Sequence, residues 1–160
     1  MGRHTGRVNP LHLDAQLCFS LYAASRAMTA AYAPLLEPLG LTYPQYLVML
    51  VLWETDGVPV KHLGDRLQLD SGTLTPVLKK LEAQRLVTKA RDDVDARVVR
   101  ISLTPAGRGL KRRAQHIPKS LACQTGLDLS AIARLREELV ALTRIVREAN
   151  AAEFTKGSTP

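Results

Sequence analysis

Cysteine is scarce in this chain of 160 residues: Cys18 and Cys123 are the only two, 105 positions apart. Neither belongs to a CxxC pair, and no Cys/His cluster has metal-ligand spacing, which disfavours structural zinc and a thioredoxin-like centre. No metal and no cofactor is expected. Aromatic residues are only 4% of the chain while hydrophobic residues are 46%, so helices packed through Leu, Ala and Val are favoured over a β-rich sandwich. No apolar run approaches the ~20 residues that cross a bilayer. The opening MGRHTGRVNP is basic but lacks a following apolar stretch, so no secretory signal is read there. These absences predict a cytoplasmic protein with no membrane association. No internal repeat or low-complexity segment interrupts the chain, whose length suits one domain, expected over residues 10–150.

Positive charge, by contrast, is in excess and unevenly placed. The formal net charge is +7, and residues 60–113 hold 13 Lys/Arg against 6 Asp/Glu. The flanks carry nine of each sign and cancel, so the middle holds the whole excess. A basic middle between neutral ends is the distribution expected of a phosphate-binding module on a neutral scaffold. On charge alone, a solvated basic surface without a partner is the competing reading.

Residues 11–33 (LHLDAQLCFSLYAASRAMTAAYA) repeat apolar residues at helical spacing, and Pro34 is expected to end that helix. Pro38–Thr42 reads as a connection. Thr42 is placed to cap the next helix, with Pro44 inside its first turn. That helix, YPQYLVMLVLWE, is apolar almost all round and is expected at the centre of the core. Asp56-Gly57-Val58-Pro59 reads as a stop. Next comes a short amphipathic helix, Val60–Gln68, with Val60, Leu63 and Leu67 inward. A turn follows at Leu69–Gly72, then a second helix, Thr73–Gln84, with Leu74, Val77, Leu78 and Leu81 on one face. Pro76 belongs comfortably only in a first turn, which sets the start of that helix near Thr73.

Two short helices joined by a turn of a few residues form a helix-turn-helix. Two alternating strands, Arg85–Arg91 and Arg97–Leu103, flank the polar turn Asp92–Ala96 and make a basic wing directly after it. Thr104-Pro105 then opens a helix running into the basic 108–113 stretch. From Leu129 to Glu148, Leu129, Ile132, Leu135, Leu139, Leu142, Ile145 and Val146 recur three or four apart. So much apolar helix at both ends favours a homodimer. The fold class expected is mainly α (α+β), a winged helix-turn-helix with long terminal dimerisation helices at about 10–34 and 105–150. The DNA-binding core is expected at about 58–104, and 153–160 as a flexible tail.

In that architecture the second helix of the pair enters the major groove of double-stranded DNA. Ser71, Thr73, Thr75 and Pro76 are short enough to approach bases or phosphates, while Lys79 and Lys80 suit backbone phosphates. Arg91 lies on a basic arm of the wing. Arg97 at the wing reaches the narrow minor groove, with Asp95 two residues away to orient its guanidinium. A surface ion pair worth ~0–1 kcal/mol is the plain alternative for that couple. A two-fold dimer calls for a palindromic operator with half-sites about one helical turn apart.

The segment LDSGTLTPVLKKLEAQRLVTKARDDVDARVVRISLTPAGR resembles the DNA-binding core of MarR-type repressors, and the resemblance extends over roughly residues 10–150. LDAQLCFSLYAASR, the tyrosines of TAAY and LTYPQY, and SLACQTGLDL resemble the organic hydroperoxide resistance regulators, OhrR-type, of the two-cysteine subgroup. Read from its residues, Cys18 lies among apolar neighbours, and an inert buried cysteine is the alternative. Reactivity requires thiolate, hence hydrogen-bond donors or positive potential at the sulfur. Tyr22 is one turn along on the same face. Tyr32 is fourteen residues on, about 21 Å along a straight helix, so only a second subunit brings it to Cys18. The resemblance implies that Tyr32 and Tyr43 donate to Cys18 across a dimer interface. It also implies that an organic hydroperoxide converts Cys18 to a sulfenic acid, that Cys123 of the other subunit resolves it as a disulfide, and that operator DNA is then released.

Two rival functions share parts of this pattern. A MarR-type regulator of a small apolar or phenolic ligand would use the same DNA-binding elements with both cysteines incidental. A thiol peroxidase would consume hydroperoxide at Cys18 without needing a wing, and a regulator rather than an enzyme is expected here. A nonspecific architectural DNA protein is a third reading, excluded by strong preference for one palindrome.

Overall fold

The structure, a computed structural model, describes residues 9–156. It divides into two units, one through Ile117 and the other from Pro118 onward. The first contains a 3-10 turn (Leu13–Ala15), helix α1 (Leu17–Leu36), a second 3-10 turn (Glu37–Leu39) and α2 (Tyr43–Glu54). Strand β1 (Val58–Pro59), α3 (Val60–Leu67), α4 (Ser71–Ala83), β2 (Val87–Arg91), β3 (Val99–Leu103) and α5 (Pro105–Ala114) follow, then the start of α6 (Ile117–Thr125). This is the winged helix-turn-helix expected from the sequence.

Helix α2 begins where Thr42, in extended conformation, donates its backbone N–H to Gln45 Oε1 at 2.8 Å, with Pro44 in the first turn as expected. Its nearly uniform apolarity buries Tyr46, Val48, Met49, Val51, Leu52 and Trp53. Burial of side chains of this size contributes about 1.5–3 kcal/mol each. Leu63 of α3 and Leu74, Leu78 and Leu81 of α4 pack into the same core. The three strands are antiparallel in the order β1-β3-β2, with Val87 opposite Leu103 and Arg91 opposite Val99. Period-two alternation along β3 turns Ile101 and Leu103 inward. Thr104 caps α5, its Oγ1 accepting from Gly107 N at 3.0 Å, and Pro105 takes the first helical position as the sequence indicates.

Four expectations need correction. Pro34 does not end α1, which continues to Leu36. A proline there leaves only the Ala30 carbonyl without its helical donor, at an exposed position. Likewise Pro76 sits inside α4, which starts at Ser71 rather than Thr73. Asp70 caps the helix by accepting from Thr73 N at 2.9 Å and Thr73 Oγ1 at 2.8 Å, and Thr75 Oγ1 donates to Ser71 O at 2.6 Å. Pro76 therefore costs a single bond, to the solvent-facing Gly72 carbonyl. Val58-Pro59 is not only a stop but a short edge strand on β3, where the missing proline N–H is tolerated. The wing strands are also shorter than expected, covering 87–91 and 99–103.

The second unit holds the rest of α6 and the long α7 (Leu129–Lys156), joined through Gly126 at φ 66. Asp128 Oδ1 accepts from Ala131 N at 2.7 Å and caps α7. Leu129, Leu135, Leu139, Val140, Ile145 and Val146 are exposed along it. The helix extends through Lys156 into the stretch expected as a tail; residues 157–160 lie outside the described residues. Among the described residues no single helix is long and apolar enough to cross a membrane.

Candidate nucleic-acid interface and thiol site

Helix α4 buries Leu74, Leu78 and Leu81 and turns the opposite face outward. Ser71, Thr73, Thr75, Pro76, Lys79 and Lys80 are all exposed on it. Residues 71, 75 and 79, and 72, 76 and 80, stack at i, i+4 spacing, so they form one continuous strip. The polar end lies at the N-terminus, where unpaired N–H groups favour an anion. Thr75 is fixed by its bond to Ser71 O, whereas Lys79 and Lys80 end in solvent.

The wing is held by two aspartates. Asp95 Oδ1 accepts from Arg97 N and Arg97 Nε, both at 3.0 Å, while Asp95 Oδ2 accepts from Arg97 Nη2 at 3.1 Å. This fork fixes the direction of a side chain that is 90% exposed. Asp92, not singled out by the sequence reading, organises the turn itself. Its Oδ1 accepts from Val94 N at 2.9 Å and Asp95 N at 3.0 Å, and its Oδ2 pairs with Arg100 Nε. Arg100 Nη1 in turn donates to Gly57 O at 2.9 Å, tying the wing to the turn before β1. The local signal was present in D-D-V-D, since an aspartate collecting N–H groups two and three residues onward is an Asx-type turn. The Arg100 contact has no such local signature.

The Arg100 guanidinium and those two N–H groups lower the Asp92 carboxyl from its ordinary 3.8 to about 2. A folded value below the unfolded one stabilises the wing above the unfolded value, and that contribution is lost as pH falls through the folded one. The backbone amides of Val94 and Asp95 should therefore titrate near pH 2 in an NMR acid titration. A midpoint at the ordinary 3.8 would contradict the arrangement.

Much of the basic stretch is occupied within the fold. Arg66 pairs with Glu54, Lys89 with Glu82, Arg97 with Asp95, Arg100 with Asp92 and Arg108 with Asp56. Lys111 Nζ donates to Trp53 O at 2.8 Å, at the C-terminal end of α2, and Arg113 Nη2 donates to Pro38 O at 2.6 Å. Lys61, Lys79, Lys80, Arg85, Arg91 and Arg112 remain exposed, with no such partner among the described residues. Arg91 is thus a free cation at the end of β2, near the wing turn.

Cys18 stands at the second position of α1, and its thiol is free and exposed, as is that of Cys123 on α6. Neither thiol is buried within the single protomer. Tyr22 is engaged elsewhere: its hydroxyl accepts from Arg26 Nη1 at 2.9 Å, and the same guanidinium lies 5.5 Å from the ring centroid. Tyr32 and Tyr43 do come together, with ring centroids 4.7 Å apart, and Tyr46 joins them 5.8 Å from Tyr32. Tyr46 was missed because it lay in a helix read as core, although its i+3 spacing from Tyr43 was visible. Burial raises the pKa of all three above the ordinary 10.0, reinforced at Tyr32 by Tyr43 and Tyr46 and at Tyr46 by Tyr43, so they stay protonated donors. No described residue accepts from the Tyr32 or Tyr43 hydroxyl. Cys18 is not brought to this cluster within the protomer. Among the described residues no His/Cys/Asp/Glu group of three is placed to hold a metal ion.

Comparison with known proteins adds three relatives. Residues 30–114 match the family described as transcriptional regulator SarA/Rot. The chain is 51% identical over 138 residues to the HTH-type transcriptional regulator TtmR of Methylorubrum extorquens, spanning 86% of this chain and 71% of that protein. It is 48% identical over 143 residues to the organic hydroperoxide resistance transcriptional regulator of Bacillus subtilis, spanning 88% and 95%. Reduced AbfR bound to DNA, AbfR being a protein of Staphylococcus epidermidis, superposes with a TM-score of 0.69 at 34% identity, over 84% of this chain and 94% of that one.

Proposed function

The chain belongs to the helix-turn-helix, DNA-binding transcriptional regulators of the MarR/SarA type, and on that premise we propose that it is a repressor released from its operator when an organic hydroperoxide oxidises Cys18. The observation that carries this reading is the exposed Cys18 thiol in a chain so similar to a hydroperoxide resistance regulator. Two copies join through apolar side chains left open on α1 and, separately, on α7, since exposed Leu17 on the one and Leu135, Leu139 and Ile145 on the other need a cover. Each copy lays α4 in a major groove. Ser71, Thr73, Thr75 and Pro76 meet bases or phosphates, Lys79, Lys80 and Arg91 meet phosphates, and Arg97, aimed by Asp95, enters the minor groove. Two-fold symmetry asks for a palindrome.

The redox step balances without a cofactor. The Cys18 thiolate attacks one peroxide oxygen, the O–O bond breaks, and the alcohol leaves with a proton while Cys18 becomes a sulfenic acid. Cys123 of a second copy then attacks that sulfur, forming the disulfide and releasing water. The Tyr32 and Tyr43 hydroxyls, donors without an acceptor among the described residues, stabilise the thiolate of Cys18 from a second copy. Closing the bridge requires Cα atoms within about 7 Å, and the resulting helix movement takes the two α4 helices out of register with the grooves. Cytoplasmic thiols reverse it.

A second reading rests on a groove of about 700 Å³ beside the tyrosines, lined by Thr29, Ala33, Pro34, Leu36, Leu41 and Tyr43, which suits a small apolar ligand. Operator binding measured alongside thiol mass spectrometry separates the two. Hydroperoxide should release a palindromic duplex in step with oxidation of Cys18. Continued binding by protein whose Cys18 is fully oxidised would remove the redox reading.

A further inference from the structure

Gln45 is the one buried polar side chain among the described residues, 3% exposed in the wall of the core. A buried amide persists only when its donors and acceptor are used. Its Oε1 accepts from Thr42 N at 2.8 Å and from Thr42 Oγ1 at 3.2 Å. Its Nε2 donates to Gln84 Oε1 at 3.2 Å, and Gln84 Nε2 donates to Gly40 O at 2.8 Å. The relay starts and ends on backbone groups of fixed polarity, a Thr42 N–H that only donates and a Gly40 carbonyl that only accepts. Both amides are thereby locked in one orientation.

What the relay joins is informative. Gln84 is the C-cap residue of α4, the helix that carries Ser71, Thr75 and Lys79. Gly40 and Thr42 bracket the connection from α1 to α2, where Gly40 adopts φ 66 and the chain turns sharply. Tyr43 follows Thr42 directly and packs against Tyr32 of α1, the rings tilted by 41°. The C-terminal end of α4 is thus bolted, across more than forty residues of sequence, to the backbone that sets the tyrosine pair.

We propose that Gln45 and Gln84 are positioning residues that couple the Tyr32–Tyr43 pair to the orientation of α4 on DNA. A displacement of the pair moves Thr42, Thr42 moves the Gln45 amide, and the Gln84 end of α4 follows. The polarity is directional, so Gln84→Glu breaks it: a carboxylate still accepts from Gln45 Nε2 but meets the Gly40 carbonyl with no proton to give. The proposal rests on the reading of α4 as the DNA-facing helix and of the tyrosines as the sensing cluster.

A double-mutant cycle on operator affinity, using reduced full-length protein, tests it. Gln84→Leu and Tyr43→Ala should each weaken binding about tenfold, and the double variant should be no weaker than either single one. Multiplicative losses would overturn the coupling. Gln84→Glu, at an exposed position, gives the same cycle should the leucine variant fold poorly, and urea midpoints keep stability apart from coupling. In a second arm tert-butyl hydroperoxide is added and Cys18 oxidation is counted by mass spectrometry. Release per oxidised Cys18 should fall about tenfold in Gln84→Leu, which a merely structural contact would not produce. Undiminished release per oxidised thiol would overturn the relay. Wild-type protein that holds its operator with Cys18 oxidised would remove the redox reading instead, and the cycle would still decide the relay.

Discussion

Serine in place of Cys18 should leave the operator bound at hydroperoxide concentrations that strip it from the wild-type protein. The substitution removes one polarisable, ionisable atom and keeps the geometry of the first turn of α1. A serine hydroxyl does not ionise near neutral pH and is not oxidised by a peroxide, so neither the sulfenic acid nor any product of it forms. The effect is close to all-or-none, and gel retardation with and without peroxide measures it directly. Release of the Cys18→Ser variant on oxidation would remove Cys18 from the sensor. Cys123→Ser separates the second step: oxidation should stop at a sulfenic acid or a mixed disulfide. A normal bridge between subunits in that variant would leave Cys123 without a resolving role.

The largest structural effect should come from Gly107→Ala. A Cβ built at Gly107 would stand 2.1 Å from Leu86 O, 3.1 Å from Leu86 C and 3.2 Å from Leu103 Cδ2. The nearest obstacle is backbone, so no rotamer change relieves it. Nor is the surrounding backbone free to shift. Leu86 O accepts from Thr104 N at 3.0 Å, Gly107 N donates to Thr104 Oγ1, and Gly107 O accepts from Trp53 Nε1 at 3.0 Å. Moving α5 away from Leu86 breaks the cap and leaves the indole N–H of a core tryptophan unpaired. A loss of about 3 kcal/mol or more is expected, read as a fall in the urea midpoint at unchanged slope. Gly109→Ala, two residues along the same helix with nothing within 4 Å of the added Cβ, is the control. It should be neutral or stabilise by about 0.5–1 kcal/mol. Equal midpoints for the two variants would refute the clash.

Gly107 also shows why some of this molecule was legible in the sequence and some was not. Caps, turns and periodicity are local, and they could be read: Thr42 with Pro44, Thr104 with Pro105, and the leucines of α4 stand where their spacing put them. The helix-breaking tendency of proline does not decide either helix by itself. Pro76 and Pro34 each forfeit one bond at an exposed carbonyl, and the Asp70 cap or the packing of Leu36 outweighs that. Long-range pairing was beyond a local reading. Val58-Pro59 becomes a strand only because β3 lies beside it, and Gly107 is intolerant only because Leu86 passes there. The relay from Gln45 to Gln84 spans thirty-nine positions; Thr42-x-x-Gln45 has the local spacing of a capping box, but nothing in the sequence signals the pairing with Gln84. At the thiol site, the fourteen-position separation of Cys18 and Tyr32 is enough to exclude contact within one straight helix. The meeting of Tyr32 with Tyr43 required the turn at Gly40.

The ion pairs along the basic segment bear on how such a protein searches a genome. Attraction to bulk DNA is largely entropy from displaced counterions, and a cation already neutralised by a neighbouring carboxylate displaces few. Arg66, Lys89, Arg100 and Arg108 are neutralised in this way, so the count of 13 Lys/Arg in residues 60–113 overstates the grip on random sequence. A weak hold on the wrong site widens the margin by which the right one wins.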